Sequence, residues 1–321
     1  MKVLFSTYPM AFHTPGGGEV QLLAYRKHLP LHAVDVTLFN LWEPRFLEHD
    51  VVHFFSCMGG SAHFCLFAKR LGLPLVVSAS LWITDATRHL YPIDEIRYQL
   101  DIADRVVTNS DIESDTLAQV LNLPREKFRT VYNGIDEFFL TPGHPTKFRE
   151  AHGLEGRFVL NVGNIEPRKN QLSLVRAMKA HPDVKLVLIG QQRDTEYSQA
   201  VLREGADQVL YLGPTPHDEM LLSAYAGCDL FCLPSTLETP GLAALEAAAQ
   251  RAPLLITSEG SCAEYFGAHA HYVAPGDDAV LAAALGGALR TSAPGSGSFD
   301  AAALTWAKTT AALRDVYHEL A

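Results

Sequence analysis

In FVLNVGNIEPRKNQLSLVRAMKA, residues 158–180, an apolar run ends at Gly163, a charged loop follows, and a helical pattern begins at Leu172. A parallel strand covered on both faces reads as such a nearly continuous apolar run, whereas a strand with one wet face alternates. The motif then recurs. VKLVLIG at 184–190, QVLYLG at 208–213, DLFCLP at 229–234 and APLLIT at 252–257 read as further strands. Four of the five runs end in Gly or Pro, which turns the chain out of the sheet. Helical patterns at Leu172–Ala180, Asp218–Ala226 and Leu242–Gln250 fill the gaps.

Upstream, the same series has already run once. VLF at 3–5, VTLF at 36–39, VVHFF at 51–55, LVVSA at 75–79 and RVVTN at 105–109 read as strands, with helices at Glu19–Leu29 and Ser61–Leu71 between them. Strands alternating with helices predict parallel βαβ units. TPGHPTKF, Thr141–Phe148, with two prolines and a glycine, is the expected linker, and TSAPGSGSF at 291–299 a second flexible stretch. A last amphipathic helix is expected from about Asp300, with Trp306, Leu313 and Tyr317 near one face. The prediction is an α/β chain of two Rossmann-like, doubly wound domains: 1–140, a linker at 141–148, 149–299, and a terminal helix at 300–321. A single (β/α)8 barrel competes, but the linker and the restart argue against it.

The 321 residues suffice for two cores, and 48% apolar with 19% charged residues describes a globular chain. A net charge of −10 argues against a general affinity for nucleic acid. MKVLFSTYPM lacks the long apolar stretch of a secretory signal, and no run approaches 18 apolar residues, so a cytoplasmic protein is expected, with contact at the inner face of the membrane as an option. Five irregularly spaced cysteines suggest buried apolar residues rather than disulfides or zinc. His13, His53, His63, His217, His269 and His271 show no metal-ligand spacing.

The strongest chemical signal is PSTLETPGLAALEAAA, Pro234–Ala249. Glu238 lies before a helix and Glu246 about one turn inside it. Thr239, Gly241 and Leu242 offer N–H groups at a helix N-terminus, where unpaired donors and the dipole suit a phosphate, and Pro240 fits the first turn. A helix-start carboxylate and a solvated one would account for either Glu alone, but not for Glu246 in an otherwise bare Gly/Leu/Ala helix. Arg168 and Lys169, at the carboxyl end of a strand, suit a diphosphate or simply form an exposed charged turn. Three glycines before Glu19 in TPGGGEVQ, Thr14–Gln21, allow close backbone approach to a ligand, or a flexible turn with Glu19 offsetting the helix dipole. YNGID, Tyr132–Asp136, is a turn signal. In SEGSCAEYFG, Ser258–Gly267, Ser261 and Glu264 have capping-box spacing, with a donor-site contact as the other reading.

In this order, the segments resemble the retaining family-four glycosyltransferases of GT-B fold, across the whole chain and most closely in NVGNIEPRKN, LGPTPHDEMLLSAYAGCDLFCLPS, ETPGLAALEA and GSCAEYFG. The resemblance implies two domains with a nucleotide-sugar site in the cleft between them. It places the family's Glu-x7-Glu pair on Glu238 and Glu246 and its phosphate-binding lysine on Lys169, assisted by Arg168. It implies that Glu238 faces the donor sugar and Glu246 the ribose, that Gly241, Leu242, Thr239, Glu264 and Asn164 line the donor pocket, and that Gly17 and Gly18 face the diphosphate. Glu19, Ser80 and Trp82 fall on the acceptor side. It further implies a UDP- or GDP-linked donor as co-substrate, no cofactor and no metal, and a saccharide or lipid-linked acceptor. Two positions depart from the family: Ser80 stands where a T-x-H histidine is common, and Asn164 where Arg often follows the strand glycine. Epimerisation or phosphorolysis on the same fold, and nucleotide-sugar binding without catalysis, remain the alternative readings.

Overall fold

The computed structural model describes residues 1–13, 15–291 and 299–320. Thr14 and residues 292–298, the centre of the expected second flexible stretch, lie outside the described residues. The chain forms two compact units, Met1–Gly134 with Leu304–Ala321, and Ile135–Ala303.

In the first unit β1 (Lys2–Thr7), α1 (Gly17–His28), β2 (Asp35–Leu38), β3 (Val51–Phe55), α2 (Ala62–Arg70), β4 (Leu75–Ser78), α3 (Ile93–Ile102), β5 (Arg105–Thr108), α4 (Asp111–Leu121) and β6 (Phe128–Thr130) follow one another. The sheet is wholly parallel, in the order β2-β1-β3-β4-β5-β6. The second unit holds α5 (Lys147–His152), β7 (Phe158–Val162), α6 (Gln171–Met178), β8 (Lys185–Ile189), α7 (Thr195–Glu204), β9 (Val209–Tyr211), α8 (Glu219–Gly227), β10 (Leu230–Leu233), α9 (Leu242–Ala249), β11 (Leu254–Thr257), α10 (Cys262–Phe266), β12 (His271–Val273) and α11 (Asp278–Ala288). Its sheet is also parallel, ordered β12-β11-β10-β7-β8-β9. The expected pair of Rossmann-like, doubly wound domains is what the chain forms. β6 (FRT) and β12 (HYV) escaped the pattern reading because polar or charged residues interrupt these three-residue edge strands, whereas the equally short β9 (VLY) is continuously apolar.

Strand order reverses between β1 and β3 in the first unit and between β7 and β10 in the second. In open α/β sheets, ligands bind outside the carboxyl ends of strands at such a reversal. The loops leaving β1, β7 and β10 are those the sequence singled out.

Two sequence expectations need correction. Thr141–Phe148 is part of the second unit: Phe148 is buried and its N–H donates to Ser223 Oγ at 2.7 Å, while Gln250, at the end of α9, takes the Gly143 N–H at 2.8 Å and donates to Thr141 O at 2.9 Å. Its Pro and Gly residues shape a packed turn. The last helix, α12 (Trp306–His318), starts six residues later than expected, after a 3₁₀ turn at Ala301–Leu304. Gly134 of the NGID turn serves a close approach, because a Cβ there would lie 2.6 Å from the Trp306 amide nitrogen.

α12 packs within the first unit by burying Trp306, Leu313 and Tyr317. Each buried side chain of that size is worth about 1.5–3 kcal/mol, against about 0–1 for the half-exposed pairs that Glu319 makes with Arg105 and Arg129. Tyr317 also has a polar duty. Its hydroxyl lies 2.6 Å from Nδ1 of His53 on β3, whose Nε2 is 2.9 Å from Ser78 Oγ on β4. Burial pushes the His53 pKa down to about 3, so the ring stays neutral, with one nitrogen donating and one accepting. Tyr317→Phe is expected to leave one of these buried nitrogens unpaired and to lower the unfolding free energy by about 1–3 kcal/mol in urea titrations; a midpoint equal to wild type would show that the pair contributes nothing. Among the described residues no helix is long and apolar enough to cross a membrane.

Candidate functional site

At the carboxyl ends of β7 and β10, two loops meet through a charged pair. The 3₁₀ turn Pro167–Lys169 brings the Lys169 ammonium to 2.5 Å from Glu238 Oε1. Ser235 Oγ donates to the same oxygen at 2.6 Å, and Arg168 Nη1 stands 3.6 Å away. The Arg168 guanidinium also donates to Leu237 O at 3.0 Å and pairs with Glu166 at 3.2 Å. Glu238 is 5% exposed. Burial pushes its carboxyl up, but the Lys169 and Arg168 charges and the hydrogen bonds from Lys169 and Ser235 outweigh it, leaving the pKa below the ordinary range. Glu238 is thus an ionised, nearly dry carboxylate whose charge depends on Lys169.

The backbone around Glu238 is held from the next strand. Its N–H donates to Glu259 O at 3.2 Å and its carbonyl accepts the Ser261 N–H at 3.0 Å, an isolated parallel bridge centred on Gly260. Only glycine fits at 260, where φ is +96° and a Cβ would lie 2.0 Å from the Glu238 carbonyl oxygen. Gly241, at φ +85°, is the N-cap of α9, and a Cβ there would come within 3.2 Å of Glu238 Oε2. The helix therefore begins at Leu242, and Pro240 precedes the cap instead of occupying the first turn; Thr239 precedes Pro240 in the same loop. The Ser261–Glu264 capping box does not form. The Ser261 hydroxyl is buried with no hydrogen-bond partner, and its amide serves the Glu238 loop, while Glu264 sits half-buried in the five-residue α10.

Glu246, one turn inside α9, is 8% exposed and far from a solvated residue. The Tyr225 hydroxyl on α8 donates to Oε2 at 2.6 Å, and His217 Nε2 lies 4.0 Å from Oε1. Burial pushes the Glu246 carboxyl up to about 7, against the lowering effect of the Tyr225 hydrogen bond. Burial likewise lowers the His217 pKa, opposed by Asp136 and Asp218. Two carboxylates eight residues apart thus have opposite characters: Glu238 is cation-bound and ionised, and Glu246 titrates near neutrality.

The structure brings Lys169, Arg168, Glu238 and Gly241 together, with Ser235 and Gly260 as members the sequence reading missed. Tyr225 and His217 are likewise additions around Glu246. No spacing signal tied them to it, since α8 is a separate element. Asn164 follows β7, and its carbonyl accepts Gln171 Nε2 at 2.9 Å. In the first unit Gly17 and Gly18 open α1, and a Cβ at either would meet open space. Glu19 closes the capping arrangement on the Gly16 N–H at 2.7 Å and accepts the Tyr8 hydroxyl at 3.3 Å. Ser80 follows β4 with φ +43°, and Trp82 is half-buried beyond it. All five cysteines are buried and free. Among the described residues no three His, Cys, Asp or Glu side chains group so as to hold a metal ion.

Two Rossmann-like units, with a cation–carboxylate pair and a helix N-terminus at the strand-order reversal of the second, define a GT-B fold. Residues 145–292 match the family described as glycosyl transferases group 1, and residues 20–137 match glycosyltransferase family 4. The chain belongs to the family-four glycosyltransferases. It is 30% identical over 232 residues to the D-inositol 3-phosphate glycosyltransferase of Mycolicibacterium smegmatis, an alignment covering 66% of this chain and 52% of that protein. The chain thus spans about half the length of the curated relatives it matches. Among solved structures, sucrose-phosphate synthase from Thermosynechococcus elongatus superposes with a TM-score of 0.83 at 18% identity, covering 100% of this chain and 99% of that one. Anabaena HepE in complex with UDP and glucose gives 0.78 at 19%, covering 99% and 100%.

The Glu246 environment sets a pH dependence. A carboxyl whose folded pKa stands near 7, above its ordinary 4.5, favours the folded state fully below pH 4.5, and that contribution is lost as pH rises through 7. Glu246→Gln, which cannot ionise, is expected to gain stability relative to wild type between pH 5 and pH 8, by up to about 3 kcal/mol. Urea unfolding of both proteins at the two pH values measures this, and a constant difference would remove the assignment.

Proposed function

We propose that the chain transfers a glycosyl group from a nucleoside-diphosphate sugar to an acceptor hydroxyl, with retention of configuration and without a metal. The observation that carries the reading is the Lys169–Arg168–Glu238 cluster beside the N-terminus of α9, at the reversal of strand order. A diphosphate leaving group gains charge as its bond to the anomeric carbon breaks. Fixed cations and helix N–H groups stabilise that charge without reorganising. In the free protein Glu238 neutralises Lys169; in the donor complex Lys169 is shared between Glu238 and the diphosphate, Glu238 facing the sugar. Glu246, with Tyr225 beside it, takes the ribose hydroxyls. The electron pair of the broken bond stays on the diphosphate. The acceptor oxygen bonds the same face of the sugar, and its proton passes to the leaving phosphate.

HepE, the structural relative, was solved with UDP-glucose and with UDP, so UDP-linked sugars are the first donors to test and GDP-linked sugars the second. Relatives named for D-inositol 3-phosphate put phosphorylated polyols beside saccharides and lipid-linked saccharides as acceptors. Five free buried cysteines fit a cytoplasmic setting, with the inner membrane face as the place of contact for a lipid-linked acceptor.

A thermal-shift panel of UDP, GDP, ADP and their sugars tests the donor, because a ligand of the native state raises the apparent melting temperature. Glu238→Gln is expected to keep most UDP affinity by calorimetry but to lower transfer about 10²–10³-fold. Glu246→Ala weakens UDP binding itself, and Lys169→Ala harms both binding and rate. Wild-type turnover by Glu238→Gln would overturn its role. Turnover requiring inorganic phosphate, or epimerised donor, would replace transfer by another reaction on this fold; binding with neither transfer nor donor hydrolysis would leave a binding protein.

Transfer is expected to persist in excess EDTA. Loss of nearly all turnover, restored by Mg²⁺ or Mn²⁺, would show a metal requirement. Proton NMR of the product anomer decides retention.

A further inference from the structure

The first unit carries a buried polar hub at the carboxyl edge of its sheet. Gln21 on α1 is 1% exposed. Its Nε2 lies 2.6 Å from Asn109 Oδ1, 2.7 Å from Asn133 Oδ1 and 3.0 Å from the Tyr25 hydroxyl, so three oxygens share two protons. Its Oε1 accepts the Ser80 hydroxyl at 3.3 Å, and Asn109 Nδ2 reaches the same hydroxyl at 3.5 Å. Glu113, fully buried on α4, adds a second clamp: Oε1 accepts the Leu81 N–H at 2.9 Å and Oε2 the Asn109 N–H at 2.7 Å.

These bonds join residues that leave three different strands. Ser80 and Leu81 follow β4, Asn109 follows β5 and Asn133 lies beyond β6. They converge on a side chain four residues after Gly17 in α1. All stand at the carboxyl edge of a parallel sheet, the edge that binds ligands in open α/β folds. Burying this many polar groups where apolar ones would pack is costly unless each is satisfied, and such networks fix a single arrangement. The outer end of the network is Ser80, which is exposed and held at φ +43°, a conformation that a non-glycine residue adopts only when its surroundings impose it.

We infer that Gln21, backed by Glu113, is a positioning residue that locks the Ser80–Trp82 segment to the first turns of α1 as one acceptor-recognising edge, with the Ser80 hydroxyl presented to a hydroxylated acceptor. This rests on the transfer reading above. Gln21 touches no substrate; it acts through Ser80.

Two arms test it. Hydrogen exchange on the free protein reads whether Gln21 holds the segment: Gln21→Met is expected to raise exchange of the amides at 79–84 about tenfold more than elsewhere in the first unit. A uniform rise across the unit, or none, would overturn the inference, since a merely structural residue gives one of these. Initial rates with UDP-glucose and D-inositol 3-phosphate, or the acceptor the activity screen returns, read the function. Gln21→Met is expected to raise the acceptor KM about tenfold with kcat changed less than about threefold and UDP affinity unchanged. Ser80→Ala is expected to raise the same KM, and the double variant to show less than the product of the two effects, because both act through one hydroxyl. Multiplicative effects, or a wild-type acceptor KM in Gln21→Met, would overturn it. A wild type that transfers to no acceptor sinks the transfer reading instead, and the exchange arm still decides whether Gln21 holds the segment.

Discussion

The ion pair between Lys169 and Glu238 is the constraint on which the site depends. The Glu238 carboxylate would not stay charged alone in so dry a place, because desolvation raises a lone carboxyl's pKa. The Lys169 ammonium at 2.5 Å, with Arg168 behind it, keeps the carboxylate ionised. The ion pair also ties the loop leaving β7 to the loop leaving β10. Those two strands flank the reversal of strand order, so the pair sits where the sheet itself opens a crevice. Ser235, Gly241 and Gly260 serve this pair: one donates to the carboxylate, and the other two leave room for it and for its carbonyl.

The second carboxylate shows how much environment decides. Glu246 is on the helix that Gly241 caps, yet among the described residues no lysine or arginine pairs with it. Its neighbours are a tyrosine hydroxyl and a largely neutral histidine, so burial dominates and its pKa rises to about 7. One buried Glu is held charged by neighbouring cations, and the other titrates near neutrality beside a hydroxyl.

The first unit is organised by the opposite means. There, neutral amides and hydroxyls, from Gln21, Asn109, Asn133 and Ser80, replace the ion pair as the link between loops. His53, Tyr317 and Ser78 form a second neutral chain that orients α12. Hydrogen bonds between uncharged groups are directional and cost less to bury than ions, and the buried Glu113 carboxyl in this network is met by the Leu81 and Asn109 N–H groups.

Much of the fold was legible in the chain alone. Strands covered on both faces must be continuously apolar, so β3, β4, β7, β8 and β10 announce themselves, and a repeated series of such strands with helices between them means two doubly wound units. The site's charged members, Arg168, Lys169, Glu238 and Glu246, were legible because charge at a strand exit or inside a bare apolar helix has few structural uses. What remained hidden depended on neighbours distant in sequence. Thr141–Phe148 has the composition of a linker, but Ser223 and Gln250 hold it as packed structure. Ser261 and Glu264 have the spacing of a capping box, but the Glu238 carbonyl claims the Ser261 amide. β6 and β12 are short and broken by polar residues, so they show no apolar run. Local pattern determined which segments are strands and helices, because periodicity and burial act over a few residues. Only the tertiary structure decided the pairings of Tyr225 with Glu246, of Gln21 with Ser80 and of Lys169 with Glu238, because hydrogen bonds and desolvation depend on which atoms end up within about 3 Å, whatever their separation along the chain.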